Sequence, residues 1–320
     1  MARRGLQDAD AAPAPDGAGS GIMSLSGHRG PVPFFRLFAR PCAAPAAMTS
    51  LDPCADLPAS TLSADPGALP RLVHAFHANG FVILRGFADE PVCAALEAVT
   101  RQHLAAAVPP VEFEADLGYP GAPPTRDAAG GGTVRRLRQA YGRDAEFRRW
   151  ASDPKLVSVV QALLGEPARI TLAHHNCVMT KHPHYGSQTG WHRDTRYWSF
   201  ARPELVTVWL ALGDEDERNG VLRVIPGSHQ AKLEPGQLDP AEFLIEAHPA
   251  SQPLLDAAQP LSLHRGDVLC FDSRLFHAAG RNTSNAVKLS VAFAYFGASN
   301  RPLDGTRSAE FGSVELHPAD

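Results

Sequence analysis

The chain has 320 residues, with 30 Lys and Arg against 34 Asp and Glu, and its formal net charge is −4. Hydrophobic residues make up 44% and charged residues 20%, a balance that excludes a wholly disordered chain, a collagen-like chain and a coiled coil. The near-neutral charge argues against a nucleic-acid partner, and the absence of an apolar run of roughly 20 residues argues against a membrane span.

The first 61 residues differ in composition from the rest of the chain. Residues 1–50 contain 11 Ala, 6 Pro and 6 Gly, which offer little side-chain surface for packing. We expect residues 1–61 to be a disordered extension, or one assigned to the protein in error with translation starting at Met48. Residues 62–320 are expected to form a single domain.

The folded part begins with alternating helix and strand patterns. The segment ALPRLVHAFHAN has Leu72, Val73 and Phe76 on one helical face, and Gly80 is a typical C-terminal stop. The short apolar run FVILRGF predicts a strand. A second helix is expected to start after Asp89 as N-cap, with Pro91 in its first turn.

Residues 108–134 are rich in Pro and Gly, and we expect a long mobile loop there that acts as a lid or binding loop. A helical stretch follows over residues 144–164, with Asp153 as an internal N-cap and Gly165 as its stop. From Arg169 onward the chain consists of short apolar runs separated by turn residues. These strand-like runs are RITLAHHNCVMTK, LVTVWLAL, GVLRVIPGSH, GDVLCFDS and VKLSVAFAYFG. Helices first and strands later predict an α+β protein, mainly β, with an antiparallel core.

The cysteine pattern bears on the cellular compartment. The five cysteines are odd in number and contain no Cys-x-x-Cys pair, which argues against a disulfide framework or a structural zinc site. They are Cys42, Cys54, Cys93, Cys177 and Cys270. We therefore expect reduced thiols and a cytoplasmic protein.

The sharpest chemical motif is GWHRDTRYW, in which His192 and Asp194 are separated by one residue. On an extended strand, positions i and i+2 share a face, so an imidazole and a carboxylate can bind one metal ion from the same side. His277 follows a later strand and can complete a two-His-one-carboxylate site of the kind found in non-haem Fe(II) oxygenases. Hydrolytic zinc sites also use three protein ligands, so the ligand types alone leave zinc open.

Three blocks of the chain together resemble a known family. WHRD, VTVWLALGDEDERNGVLRVIPGSH and GDVLCFDSRLFHAAGRNTS are similar, in order and spacing, to successive signatures of the phytanoyl-CoA dioxygenase family. The earlier segment HANGFVILRGF also resembles that family's N-terminal element, so the resemblance spans about Leu72 to Phe296. The resemblance implies a double-stranded β-helix core (jelly roll, cupin-like) with flanking N-terminal helices. It also implies Fe(II) bound by His192, Asp194 and His277, with 2-oxoglutarate and O2 as cosubstrates.

The distal C5 carboxylate of 2-oxoglutarate needs a cation. Relatives place an Arg eleven residues after the distal His, where this chain has Lys288, and Ser290 shares the face of Lys288 on the same strand. Lys288 either binds 2-oxoglutarate less rigidly, as a point charge rather than a fork, or marks a changed cosubstrate preference. Arg281 is a nearby alternative cation that we expect to be exposed.

The strand before the His-x-Asp motif carries the remaining cosubstrate candidates, Asn176 and Thr180. Relatives place cosubstrate or substrate contacts on this strand, which also contains Lys181. Strand alternation puts Asn176 and Thr180 on one side and Lys181 on the other, so that Asn176 and Lys181 cannot both line one pocket without a bulge.

Several other polar residues are interpreted as structural. His174 and His175 are neighbours on a strand, so one should face the core and the other solvent. His229 is expected to be structural or to face the substrate, and RRLR at 135–138 is expected to form a solvated face rather than an anion site.

The predicted function is that of an Fe(II)- and 2-oxoglutarate-dependent dioxygenase hydroxylating an unactivated C–H bond of a small-molecule metabolite, with succinate and CO2 as coproducts. Desaturation, cyclisation and epimerisation remain open, as does the oligomeric state. The alternatives are a non-catalytic metal-binding jelly-roll protein and a cupin-like metalloenzyme that does not use 2-oxoglutarate. A small polar substrate under the 108–134 loop is preferred to an acyl-CoA bound by RRLR, Arg148 and Arg149.

Overall fold

The computed structural model describes residues 55–316. Its first elements are β1 (Asp56–Pro58) and α1 (Ala59–Ala64), so regular structure begins before the predicted domain start at residue 62. The predicted extension lies almost wholly outside the described residues and stays a prediction. No helix of the described part is long and apolar enough to cross a membrane.

The first helices follow the sequence signals. Helix α2 (Ala68–Asn79) ends at Gly80, whose φ of 83° is left-handed and whose amide bonds the carbonyl of Phe76. After strand β2 (Phe81–Arg85), helix α3 (Glu90–Ala105) starts at Asp89, whose side chain caps the first turn as predicted.

The helical stretch predicted over residues 144–164 comprises two helices, and the second starts after the predicted N-cap Asp153. After the short helix α4 (Ala140–Arg143) come α5 (Ala145–Ala151) and α6 (Pro154–Leu164). The break occurs because the Asp153 side chain accepts hydrogen bonds from the first amides of α6 and so starts a new helix.

Residues 108–134, predicted as a long loop, contain some regular secondary structure. They include strand β3 (Val111–Phe113), which pairs antiparallel with β4 (Val134–Arg138). Arg126 forms an ion pair with Asp116 from within the intervening turns. The mobility expected for residues 108–134 stays a prediction.

The remaining elements form two sheets. They are β5 (Ala168–Lys181), β6 (Thr189–His192), β7 (Leu205–Ala211), β8 (Leu222–Val224), α7 (Gln252–Leu255), β9 (Gln259–Pro260), β10 (Val268–Asp272), β11 (His277–Ala279), β12 (Lys288–Gly297), α8 (Arg307–Phe311) and β13 (Ser313–Glu315). The larger sheet has the order β1-β2-β10-β7-β12-β5-β4-β3, with β13 also paired to β5, and the smaller one has the order β6-β11-β8-β9. This mainly β architecture with N-terminal helices is the fold class that the sequence predicts.

Strand β7 shows how the layers pack. Val208 and Leu210 lie in the apolar cluster that includes the helices, whereas Trp209 and Ala211 lie in a second cluster that includes Leu222 of the smaller sheet. Alternate residues of one strand therefore face two different cores, which explains the unbroken apolar run LVTVWLA. Burying one such Val or Leu side chain contributes about 1.5–3 kcal/mol.

Three of the five cysteines lie within the described residues. Cys93, Cys177 and Cys270 are free and buried. Cys42 and Cys54 lie outside the described residues.

Candidate metal centre and adjoining cavity

The two sheet strands that end at the site bring two histidines together. His192 closes β6 and is the direct cross-strand partner of His277, the first residue of β11. Asp194 does not lie on a strand, as the sequence suggested, but opens a 3₁₀ turn that runs to Tyr197. The intervening Arg193 keeps an extended backbone, with φ −109° and ψ 142°, so Asp194 still projects on the side of His192.

The three side chains form a compact buried set of donors. One ligand atom from each residue lies within 4.8 Å of the other two. Asp194 Oδ1 is 3.3 Å from His277 Nε2 and 3.9 Å from His192 Nε2, and it has no hydrogen-bond partner. A fully buried carboxylate oxygen without a donor is costly unless a cation joins it, and two imidazoles with one carboxylate suit divalent iron.

Hydrogen bonds from the protein orient each of these donors. His192 Nδ1 is 2.9 Å from the carbonyl of Gly190, and His277 Nδ1 is 3.1 Å from the carbonyl of Leu275. Because each Nδ1–H donates to a carbonyl, both Nε2 lone pairs point to the centre. Thr207 Oγ1 donates to Asp194 Oδ2 at 3.0 Å and leaves Oδ1 free.

Burial and the charges of neighbouring side chains shift the pKa values of the three candidate ligands. Burial and the neighbouring His277 hold the pKa of His192 well below its ordinary value, so its imidazole is neutral. Burial opposes ionisation of Asp194, but His175, His277 and His192 outweigh it and lower its pKa. Although burial acts against it, the Asp194 charge raises the pKa of His277.

An irregularity in β5 adds a third imidazole that sequence reasoning missed. The register of β5 against β12 jumps from Asn176 to Thr171, and His174 within the resulting bulge has φ 53°. His175 is consequently buried, with Nδ1 3.4 Å from Asp194 Oδ2, and burial lowers its pKa to about 4. The expected alternation of a core-facing and an exposed histidine is wrong, because both rings pack against Tyr197.

A cavity adjoins His192 and His277 and extends to a basic wall. The cations that line it are Arg135, Arg136, Lys181 and Lys288. The predicted solvated face at 135–138 is therefore wrong for its first two residues, since the Arg135 side chain is 4% exposed. Arg135 pairs with Glu112 at 3.4 Å and with Glu114 at 3.2 Å, both on the segment that the sequence suggested was a loop.

The predicted anchor Lys288 does line the cavity, but it already has a carboxylate partner. Its Nζ is 2.8 Å from Glu215 Oε2, and Ser290 Oγ donates to Glu215 Oε1 at 2.6 Å. Sequence reasoning missed Glu215, since it follows β7 by four residues and no local pattern links it to β12.

The two candidates on β5 are placed differently. Asn176 does not line the cavity: it accepts from the amide of Tyr141 at 2.7 Å and donates to the carbonyl of Leu172. Thr180 borders the cavity, but its hydroxyl donates to the carbonyl of Val134 at 2.5 Å. Lys181 lies on the cavity side, so of the two mutually exclusive residues it is Lys181 that faces in.

The two remaining candidates lie outside the centre. The His229 ring contacts the carbonyl of His77 at 3.0 Å, which is a structural contact. Arg281 is exposed, as expected, and donates to the carbonyl of His184.

Comparison with known proteins agrees with this architecture. Residues 76–290, about two thirds of the chain, match the family described as phytanoyl-CoA dioxygenase. The peroxisomal phytanoyl-CoA dioxygenase of Mus musculus is 27% identical over 174 residues, which cover 51% of this chain and about half, 49%, of that protein. The corresponding protein of Rattus norvegicus is 24% identical over 294 residues, which cover 87% of this chain and 82% of that protein.

Solved structures share the fold. EctD from S. alaskensis, crystallised with 2-oxoglutarate and 5-hydroxyectoine, is 22% identical with a TM-score of 0.62, over 78% of this chain and 84% of that chain. The expected fold is thereby confirmed. Because residues 76–290 match that family, the chain belongs to the phytanoyl-CoA dioxygenase family of Fe(II)- and 2-oxoglutarate-dependent dioxygenases.

Proposed function

We propose that this protein is an Fe(II)- and 2-oxoglutarate-dependent dioxygenase that hydroxylates a C–H bond of a small-molecule metabolite. The observation that carries the proposal is the buried, partnerless Asp194 Oδ1 between the Nε2 atoms of His192 and His277. Without a bound cation, this oxygen would have no hydrogen-bond donor to offset its buried charge.

His192, Asp194 and His277 would hold the iron, one ligand atom each. Bound iron and 2-oxoglutarate supply the oxidation, in which O2 and 2-oxoglutarate give a hydroxylated product, succinate and CO2. The protein contributes a fixed donor geometry through the carbonyls of Gly190 and Leu275 and through the hydroxyl of Thr207.

The cavity walls suit a dianionic cosubstrate. Four cationic side chains line the cavity, and three carboxylates, on Glu112, Glu114 and Glu215, pair with three of these cations. Together with Asp194 and a divalent iron ion, this leaves two positive charges, which the two carboxylates of 2-oxoglutarate balance. Electroneutrality of the loaded site supports 2-oxoglutarate over a monocarboxylate.

The surroundings favour a small substrate over an acyl-CoA. Of the candidate phosphate ligands, Arg148 and Arg149 are exposed on α5 and do not line the cavity. Arg135 and Arg136 of RRLR do line it, but they pair with Glu114 and Glu112. Tyr197 and Phe243 instead pack around the ring of His192, at centroid distances of 5.8 and 5.7 Å. We propose that the substrate is a small polar molecule bound over this aromatic side.

We further propose a cytoplasmic location and no nucleic-acid partner. The described cysteines are free and buried, which suits a reducing compartment. The net charge of −4 offers no general attraction for a polyanion.

The test is an anaerobic titration of the metal-free protein with Fe(II) and then with 2-oxoglutarate, followed by visible absorbance. A weak charge-transfer band on adding 2-oxoglutarate is the expected result, because it reports a 2-oxo acid chelating protein-bound iron. Iron binding without such a band would favour a metalloprotein that does not use 2-oxoglutarate. Metal analysis after anaerobic purification separates an iron protein from a zinc or manganese enzyme.

A further inference from the structure

Two of the four lysines of the chain face each other inside the protein. Lys181 of β5 and Lys288 of β12 are direct cross-strand partners, and both are buried, 8% and 7% exposed. Directly opposed residues of antiparallel strands have Cβ atoms about 4.5–5.5 Å apart, and like charges at such positions are destabilising. Two buried ammonium groups at this spacing therefore require negative charge nearby.

Glu215 supplies one negative charge, and both of its carboxylate oxygens already have partners around Lys288. Its Oε2 pairs with Lys288 Nζ at 2.8 Å. Its Oε1 accepts from Ser290 Oγ at 2.6 Å and from Trp209 Nε1 at 3.0 Å. The Trp209 ring also lies 5.2 Å from Lys288 Nζ. Glu215 and Lys288 thus form a closed, neutral pair in the cavity wall.

Lys181 has no such partner. Its Nζ donates to the carbonyls of Gly280 and Ser187, at 2.5 and 3.2 Å, and no carboxylate within residues 55–316 forms an ion pair with it. An ammonium group has three donors, so one N–H is left for a ligand. Two backbone carbonyls hold the group in place at the cavity, which is the geometry of a preformed anion site.

The missing counter-charge is reflected in the pKa of Lys181. Burial, followed by the charges of Lys288 and Arg135, lowers the pKa of Lys181 to about 7. Lys181, Lys288 and Glu215 together carry one net positive charge when both lysines are protonated. One further carboxylate makes the cluster neutral.

We propose that Lys181, rather than Lys288, supplies the uncompensated charge that binds the distal carboxylate of 2-oxoglutarate. The inference rests on the proposed function, since it assigns a residue to the cosubstrate of that site. Lys288 then serves as part of the wall, with its charge cancelled by Glu215. Selectivity for a 2-oxo dicarboxylate over a 2-oxo monocarboxylate resides in Lys181.

The test measures binding rather than turnover. Calorimetry on the anaerobic Fe(II)-loaded protein compares 2-oxoglutarate with 2-oxopentanoate, which has the same carbon chain but a methyl group in place of the distal carboxylate. In Lys181→Gln, which keeps a donor for the two carbonyls, the affinity for 2-oxoglutarate should fall roughly 10- to 150-fold, as expected for a lost charge-assisted hydrogen bond. The affinity for 2-oxopentanoate should stay within about threefold.

Two further variants make the result specific. The double variant Glu215→Gln/Lys288→Met removes the neutral pair and should change 2-oxoglutarate affinity by about threefold at most, because it alters no net charge. The exposed Lys232→Met is a control for general loss of positive charge. If the double variant fails to fold, Glu215→Gln/Lys288→Gln, which keeps hydrogen-bonding side chains at both positions, replaces it and should likewise leave the affinity within about threefold.

The outcomes separate the two hypotheses. An unchanged affinity in Lys181→Gln overturns the inference, and a large loss in the double variant returns the anchor to Lys288. A wild-type protein that binds Fe(II) but neither 2-oxo acid overturns the proposed function instead. Loss of both 2-oxo acids in Lys181→Gln also contradicts the inference, since it indicates a damaged cavity and not a lost carboxylate contact.

Discussion

The two ends of the cavity satisfy their charges in opposite ways. At the metal end, three orienting hydrogen bonds leave the ligand atoms free, namely Nε2 of His192, Nε2 of His277 and Oδ1 of Asp194. At the lysine end, Glu215 and Lys288 form an ion pair with each other, and the neighbouring Lys181 donates only to backbone carbonyls and has no carboxylate partner within residues 55–316. The role of a residue therefore depends on the partners that the fold supplies, and not on its chemical type alone.

The largest expected effect tests the metal end. We expect His192→Ala and His277→Ala each to abolish 2-oxoglutarate decarboxylation and substrate turnover. Each variant loses one of the three protein ligands, and the two that remain are too few to hold the iron in place. Iron content and activity are the measurements, and circular dichroism reports the fold. Loss of native structure in both variants would instead identify these residues as core histidines.

A smaller effect is expected from the residue that orients the carboxylate. Thr207→Val removes the hydroxyl that donates to Asp194 Oδ2 but keeps the shape of the side chain. We expect Fe(II) affinity to fall about 10- to 100-fold, as is usual for such orienting contacts. Competition with a metal-chelating dye measures this, and an unchanged affinity would show that Asp194 needs no support.

The lysine end is expected to respond to pH. Because the pKa of Lys181 in the free protein is about 7, binding of a distal carboxylate above that pH must first add a proton. The preference for 2-oxoglutarate over 2-oxopentanoate should fall by up to about tenfold per pH unit between pH 7 and 9. The charged groups that face Lys181 are Lys288, Arg135, Glu114 and Glu215, so the same titration in Lys181→Gln is the control. A pH dependence that persists in this variant would implicate another of these groups.

The smallest effect concerns a residue that the sequence placed at the cosubstrate. Asn176→Ala should lower the free energy of unfolding by about 1–3 kcal/mol, because the partly buried amide of Tyr141 loses its acceptor. It should leave 2-oxoglutarate affinity within about twofold, since Asn176 does not line the cavity. Chemical denaturation and calorimetry measure the two quantities. A large loss of affinity with normal stability would restore the original assignment.

Sequence reasoning succeeded where the determining contacts are local. The His192-x-Asp194 spacing, the Asp89 and Asp153 caps and the Gly80 stop each depend on a few consecutive residues. Even the departure of Asp194 from the strand did not disturb the predicted constellation, because Arg193 remained extended.

The missed features depend on distant segments. Glu215 meets Lys288 across 73 positions of sequence, so no window of the chain reveals that pair. The bulge that brings His175 to Asp194 interrupts an otherwise regular strand, and the strict alternation assumed for β5 could not include it. Arg135 was expected in solvent because its partners Glu112 and Glu114 lie on a segment with few strand signals.

The orienting bonds of the two histidines have a consequence for how this protein can change. Each imidazole takes its acceptor from the carbonyl two positions earlier in its own strand or turn, at Gly190 and Leu275. The orientation of both imidazole rings is thus determined by hydrogen bonds within two short stretches of chain, neither of which includes residues 108–134. Exchanges in that segment therefore leave the orientation of both imidazoles, and with it two of the three candidate metal ligands, unchanged.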